Sequence, residues 1–258
     1  MNARLAWFSL LVFCVTIRSL KGDQPADADT ARRLFEPIEQ RFKSAQTLQY
    51  TVTKVSSSDR QSTEERWQFA FREPGLVRVD YEKPVGRILV LTPAETWEYI
   101  PAARQALRTR LDNMSADKRA SFVARVLARV AVDGVRIGNY ENLQKRVTRV
   151  TQPENGTNTW VIEGSNPKYV IAIDASRNVL LRSDIYKDTG ELSVRTEASQ
   201  FTEIAPGFWY PQAIIASYLT PQGYIVSRFS IRDIRLNATL PEDTFTFTPP
   251  EGVAVKEN

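Results

Sequence analysis

The residues able to do chemistry in this chain are few in kind. Its 258 residues include no histidine and one cysteine, Cys14. A Ser-His-Asp triad, a Cys-His pair and every His-ligated metal site are thereby excluded. With cysteine confined to Cys14, zinc and iron–sulfur chemistry lose their ligands as well. What remains is chemistry by paired carboxylates or by lysine. The carboxylates Glu64, Glu65, Asp80, Glu82, Glu95 and Glu98 are scattered through a stretch where charged residues alternate with large apolar ones. Several take outward strand positions, and no pair is marked for acid–base work. The residue types point to non-covalent binding, with no catalytic residue, metal or cofactor expected.

The apolar partners in that alternation are Trp67, Phe69 and Phe71, then Val77, Val79 and Tyr81, then Ile88 and Val90, then Trp97 and Tyr99. Successive side chains on a strand point to opposite faces, so each strand gives one greasy face and one wet face. Such alternation ordinarily means a packed core. A curved sheet under one layer of helix can instead enclose unfilled apolar volume, and such volume takes apolar ligands. The residues alone leave both readings open.

The elements that must position these side chains are mostly strands. Residues 23–33 are polar and acidic and read as a lead-in. Leu34, Ile38, Phe42 and Ala45 predict a helix over 34–45, which either starts with Pro37 in its first turn or kinks there. Leu48 to Val55 begins the strands, and four more are expected before about residue 110, separated by Glu-Pro-Gly, Lys-Pro and Thr-Pro breaks. Ser115 can cap a helix over 115–132 whose stripe is Phe122, Val123, Val126, Leu127 and Val130. Arg119, Arg125 and Arg129 face away from that stripe, as a solvated face or one that meets acidic headgroups. A short helical piece is expected over 138–146. Strands resume at Val147–Thr151, Thr159–Glu163, Tyr169–Asp174, Val179–Lys187, Leu192–Thr202, Trp209–Thr220 and Tyr224–Asn237. Turn signals at Glu154-Asn-Gly156, Ser176-Arg-Asn178, Asp188-Thr-Gly190 and Pro221-Gln-Gly223 make these an antiparallel meander in one domain.

The N-terminus reads as an export signal. Arg4 precedes an apolar run from Leu5 to Ile17, 13 residues long, where a bilayer span needs about 20. Cleavage is expected after Gly22, or as late as Ala28, giving a domain over 23–258. The segment holds Arg4, Arg18 and Lys21 and no acid, so a cut after Gly22 lowers the net charge from +4 to +1. Nucleic acid, which needs a clustered basic face, is not an expected partner. Cys14 lies inside the apolar run behind Phe13, too large for a lipoprotein cleavage site, so neither a lipid anchor nor a disulfide is expected. Three Asn-X-Ser/Thr triplets, at Asn113, Asn155 and Asn237, fit the glycosylation pattern by chance if the source is bacterial.

Two blocks resemble a known family. Phe71-Arg-Glu-Pro74-Gly-Leu76-Val77-Arg-Val79, followed by Pro84, Ile88-Leu-Val90, Thr96-Trp97-Glu-Tyr99-Ile-Pro101 and Gln105-Ala106, is similar to the LolA family of periplasmic lipoprotein carriers. The ending Phe245-Thr-Phe247-Thr-Pro249-Pro250-Glu-Gly252-Val253-Ala-Val255 looks like that family's ending. The stretch 195–237 is longer than in a short member and resembles broader LolA-like sorting proteins. The resemblance implies an incomplete antiparallel β-barrel, mainly β, with an N-terminal helix and an inserted helix as its lid. It implies a monomeric periplasmic carrier, not an enzyme. Such a carrier holds the acyl chains of lipoproteins or lipids, taken from an inner-membrane donor complex and passed to an outer-membrane acceptor. The alternative is a LolA-like sensor of lipid or lipoprotein that signals to a membrane partner.

Carried over residue by residue, Val77, Val79 and Tyr81 match cavity-wall positions and Phe69 and Phe71 share their face. Trp67, Ile88, Val90, Trp97 and Tyr99 complete the expected lipid-binding set. Ile38, Phe42, Phe122, Val126 and Val130 are the expected lid residues. The family places an arginine directly before the proline matching Pro74, tying the lid shut. Glu73 stands there in this chain, and Arg72, one step earlier, falls on the other face. Val77→Glu or Val79→Glu is expected to impair loading while leaving the fold intact.

Overall fold

A computed structural model describes residues 26–58, 61–130, 143–152, 157–221 and 223–257. The expected signal segment 1–22, most of the helical piece at 138–146 and the turn at 154–156 lie outside the described residues.

The first element is a helix, α1, Ala26–Lys43. It starts well before the expected residue 34, and the supposed lead-in is its first two turns. Ala28 and Ala31 extend the stripe of Phe35, Ile38 and Phe42, and all five are buried. Asp27 and Asp29, which made the segment look like a polar leader, suit the positive end of a helix dipole. Pro37 sits inside the helix, so the carbonyl four residues earlier loses its usual donor, while the apolar stripe continues past it.

Six strands follow: β1 Thr47–Ser57, β2 Ser62–Arg72, β3 Leu76–Lys83, β4 Arg87–Leu91, β5 Glu95–Ile100 and β6 Gln105–Arg110. That is one more than expected. Helix α2 spans Ala116–Val130. Seven further strands are β7 Val147–Thr151, β8 Thr159–Gly164, β9 Tyr169–Asp174, β10 Val179–Tyr186, β11 Leu192–Ala205, β12 Phe208–Thr220 and β13 Gly223–Leu236. A last strand, β14 Ala254–Glu257, had no alternation to announce it.

All fourteen join one sheet in the order β14-β6-β5-β4-β3-β2-β1-β13-β12-β11-β10-β9-β8-β7. Neighbours are antiparallel except β14, which runs parallel to β6. The two halves of the chain meet where β1 pairs with β13, Val52 opposite Ile231. β14 and β7 are the two edges, so the barrel is incomplete and the fold is mainly β with two helices among the described residues. The sheet curls around α1. Val77, Val79, Leu89 and Leu91 from one wing and Ile162, Tyr169, Ile171 and Ile173 from the other join one buried cluster with Phe35, Ile38 and Phe42.

Candidate functional site

The inner face of the curled sheet is set by register. Across β1, β2 and β3, Leu48 faces Phe71 and then Val77, Tyr50 faces Phe69 and then Val79, and Val52 faces Trp67 and then Tyr81. Six of the ten expected lipid-binding residues, Trp67, Phe69, Phe71, Val77, Val79 and Tyr81, are thereby brought onto one wall. Tyr50 and Phe69 stack with centroids 4.6 Å apart, and Trp67 meets Tyr81 at 5.7 Å.

The other four are not on that wall. In β4, Val79 pairs with Leu89 and Tyr81 with Arg87, so Leu89 and Leu91 face inward while Ile88 and Val90 face outward. Trp97 pairs with Val90 and Tyr99 with Ile88, so they face outward too. These four form a second cluster with Ala106, closed by Phe247 and Val253 of the C-terminal segment. The β3–β4 turn decides this: five residues separate Tyr81 from Arg87, and that spacing sets the parity of everything after it.

At one end the inner wall turns from apolar to charged. Beyond the Val52–Trp67–Tyr81 row, Lys54 pairs with Glu65 at 2.8 Å and lies over the Phe229 ring, and Ser56 meets Ser227 at 2.8 Å. Arg87 lies 4.0 Å over the Tyr81 ring and pairs with Glu98 at 3.1 Å. Burial raises the Tyr81 phenol pKa above its ordinary value in spite of Arg87 beside it. Trp67 is 3% exposed, and its Nε1–H meets no acceptor among the described residues. Sequence reading missed this rim, since it treats Glu98 only as one of the scattered carboxylates and singles out neither Lys54 nor Arg87.

The two helices are held very differently. Ile38 and Phe42 of α1 are 0% and 7% exposed, as buried as the wall itself. Phe42 meets Phe208 edge-on at 5.5 Å. In α2, Val126 is buried, whereas Phe122, Val123 and Leu127 are only partly covered. The side chain of Val130 lies outside the described set. Arg119, expected to face solvent, turns back and donates through Nε to the Leu111 carbonyl at 3.0 Å, fixing the start of α2 to the loop before it.

Glu73 is exposed, and its backbone N–H donates to the Gln46 carbonyl. Arg72 faces the tail instead of the helices: it donates to the Leu240 carbonyl at 2.8 Å and lies over the Phe245 ring.

The six carboxylates weighed as catalysts are each matched with a base. Glu64 pairs with Lys83, Glu65 with Lys54, Asp80 with Arg78, Glu82 with Arg66, Glu95 with Arg108 and Glu98 with Arg87. A general acid needs a raised pKa. Glu95 has the reverse: burial opposes its ionisation, but the Trp97 N–H and Arg108 outweigh that and lower its pKa. No group of three or more metal-ligating side chains lies together among the described residues.

Among solved structures, the chain is similar to a LolA superfamily protein from Nitrosomonas europaea, with 17% identity, 84% of this chain and 97% of that chain covered, and a TM-score of 0.55. It is similar to a domain assigned to outer membrane lipoprotein sorting, from Vibrio parahaemolyticus, with 14% identity, coverage of 84% and 97% and a TM-score of 0.55. A protein of a domain-of-unknown-function family from Desulfovibrio piger matches with 14% identity, coverage of 85% and 97% and a TM-score of 0.58. No protein-family model and no curated protein matches the chain. At these identities the likeness establishes a LolA-like fold.

Proposed function

We propose that this chain is a non-enzymatic carrier of acyl chains, exported to the periplasm and working there as a monomer. Its ligand is the lipid part of a lipoprotein, or a free lipid, lying between the inner wall and α2. The observation that carries this is the half-covered stripe of α2: Phe122, Val123 and Leu127 pack only partly covered against the apolar cluster, and Val126 is the helix's one buried side chain among those described. Parting a helix so lightly covered exposes little apolar surface, and an acyl chain covers it again.

In this reading Trp67, Phe69, Phe71, Val77, Val79 and Tyr81 line the site. Phe122, Val126 and Val130 belong to the cover. Ile38 and Phe42 belong to a fixed floor, and Ile88, Val90, Trp97 and Tyr99 stand outside. With Glu73 exposed and Arg72 tied to the tail, apolar contact holds the cover in place of an arginine latch. The ion-paired carboxylates favour binding over turnover.

Each buried methylene contributes about 0.8 kcal/mol, so escape of a long chain into water is strongly uphill. Release therefore needs an acceptor that binds better. An inner-membrane donor and an outer-membrane acceptor meet that need.

Native mass spectrometry of protein purified from its own periplasm tests the reading, alongside uptake of a fluorescent fatty-acyl probe. Adducts of acylated mass and displaceable uptake are expected. A bare polypeptide mass together with no probe uptake would overturn the carrier.

A further inference from the structure

We infer that Trp67 Nε1 is the polar contact for the ester carbonyl of a bound acyl chain, so that the wall recognises esterified chains and not hydrocarbon alone. This rests on the carrier reading above and names the ligand chemistry of that same wall.

Trp67 sits where the wall changes character. Val52 lies beside it in the same row and Phe69 and Val79 in the next, all buried in the apolar cluster that holds the stripe of α1. Toward the rim come the Lys54–Glu65 pair, reached through Val52's strand, and the Arg87–Glu98 pair, reached through Tyr81. An acylated ligand has the same sequence of polarity. Its methylenes are apolar, its ester comes at the end of the chain, and its head is polar. Aligned with its tail toward the apolar cluster, its carbonyl falls level with the Trp67 row.

An indole N–H can only donate. A buried donor without an acceptor costs the protein its desolvation, and supplying the acceptor recovers it. The rim also says which acceptor fits. Lys54 and Arg87 are matched by Glu65 and Glu98, so neither of these two cations, among the described residues, is spare for a free carboxylate or a bare phosphate. A neutral ester carbonyl needs none.

Ester carbonyls of this kind occur both in a diacylglyceryl-modified protein and in a free phospholipid, and probes can separate the two. The experiment measures binding of a synthetic diacylglyceryl peptide and of a short-chain diacyl phospholipid. Each is compared with its dialkyl ether counterpart, which keeps the chains and lacks the carbonyls. The full mature chain should bind at least one ester probe about tenfold more tightly than its ether, the worth of one well-placed hydrogen bond to a buried donor. The pair with the larger ratio identifies the source. Trp67→Phe should bring that ratio to about one, and because the smaller ring acts on ester and ether alike, the ratio, not either affinity, is the readout.

Equal binding of ester and ether by the wild-type chain overturns this inference and leaves the carrier standing. A Trp67→Phe protein that keeps the preference also overturns it. Binding of neither probe type overturns the carrier reading itself. If Trp67→Phe does not fold, the wild-type ratio alone decides.

Discussion

The ring of Phe247 packs against Trp97 with centroids 5.5 Å apart and against Tyr99 at 5.4 Å, on the face of the sheet opposite the candidate site. The C-terminal segment therefore packs on the outer face of the sheet, away from the candidate site. Phe247→Ala should lower stability by about 1–3 kcal/mol, less than a fully buried Phe truncation because the ring is half-covered. Urea unfolding measures the loss, and probe uptake at low denaturant should stay at the wild-type level. Reduced uptake at unchanged stability would return the outer cluster to the ligand surface.

Val79 is fully buried on the wall, in the same apolar cluster as the stripe of α1. Val79→Glu would place a carboxylate there with no partner, at a cost of several kcal/mol. Total stabilities are only about 5–15 kcal/mol. The protein should lose cooperative unfolding and not merely its ligand, which reverses the expectation from sequence for Val77 as well as Val79. A cooperative thermal transition near the wild-type midpoint for Val79→Glu would show that α1 can leave the wall.

The ring of Tyr169 lies across Gly164: a Cβ on Gly164 would come within 2.0 Å of Tyr169 Cζ. The same phenol donates to the Leu143 carbonyl at 2.7 Å, and burial pushes its pKa up to about 12. Gly164→Ala forces the ring aside and should cost about 1–3 kcal/mol by overpacking. Combined with Tyr169→Ala, the two losses should fall short of their sum, since the second removes the clash that causes the first. Chemical denaturation of the two singles and the double supplies the comparison.

Acid should loosen the fold at two identified carboxylates. Burial opposes ionisation of Asp174, but Ser176 and Arg177 outweigh it, so its pKa is lowered from 3.8. Glu95 is lowered from 4.5 in the same manner by Trp97 and Arg108. A carboxylate with a depressed folded pKa contributes stability that is present above its unfolded value and lost as pH falls through the folded one. Stability should therefore hold down to roughly pH 4.5 and decline below it. Asp174→Asn should flatten that decline while lowering stability at neutral pH. An unchanged acid limb in this variant would remove Asp174 from the account.

Amide exchange should separate the helices. Peptides from α1 should exchange only on global unfolding, because Phe35, Ile38 and Phe42 are locked in the central cluster. Peptides from α2 should exchange orders of magnitude faster without ligand and slow when the acyl probe is bound. Equal protection of the two helices would contradict a movable α2.

Much of this was legible in the sequence because it depends on local rules. Alternation marked the strands, and the stripe at 122–127 marked α2. The absence of histidine removed the commonest catalytic and metal chemistries before any fold was known. The parity of Val77, Val79 and Tyr81 fixed that they share a face. It could not fix whether Val90 and Trp97 share it too, since that depends on how the β3–β4 turn sets the register across strands.

Tertiary structure alone decided the rest. An apolar stripe looks the same in sequence whether it is buried or half-covered, and only packing showed the stripe of α1 to be buried in the central cluster and that of α2 to be partly covered. Nothing in the sequence groups Lys54, Arg87 and Glu98 as a rim until the register across β1 to β5 brings them to one face. The short β14 has no pattern of its own, and it is a strand because the edge of β6 offers it hydrogen bonds. Periodicity constrains each segment by itself, whereas a wall, a rim and a cover are relations between segments distant in sequence, and only the folded chain fixes them.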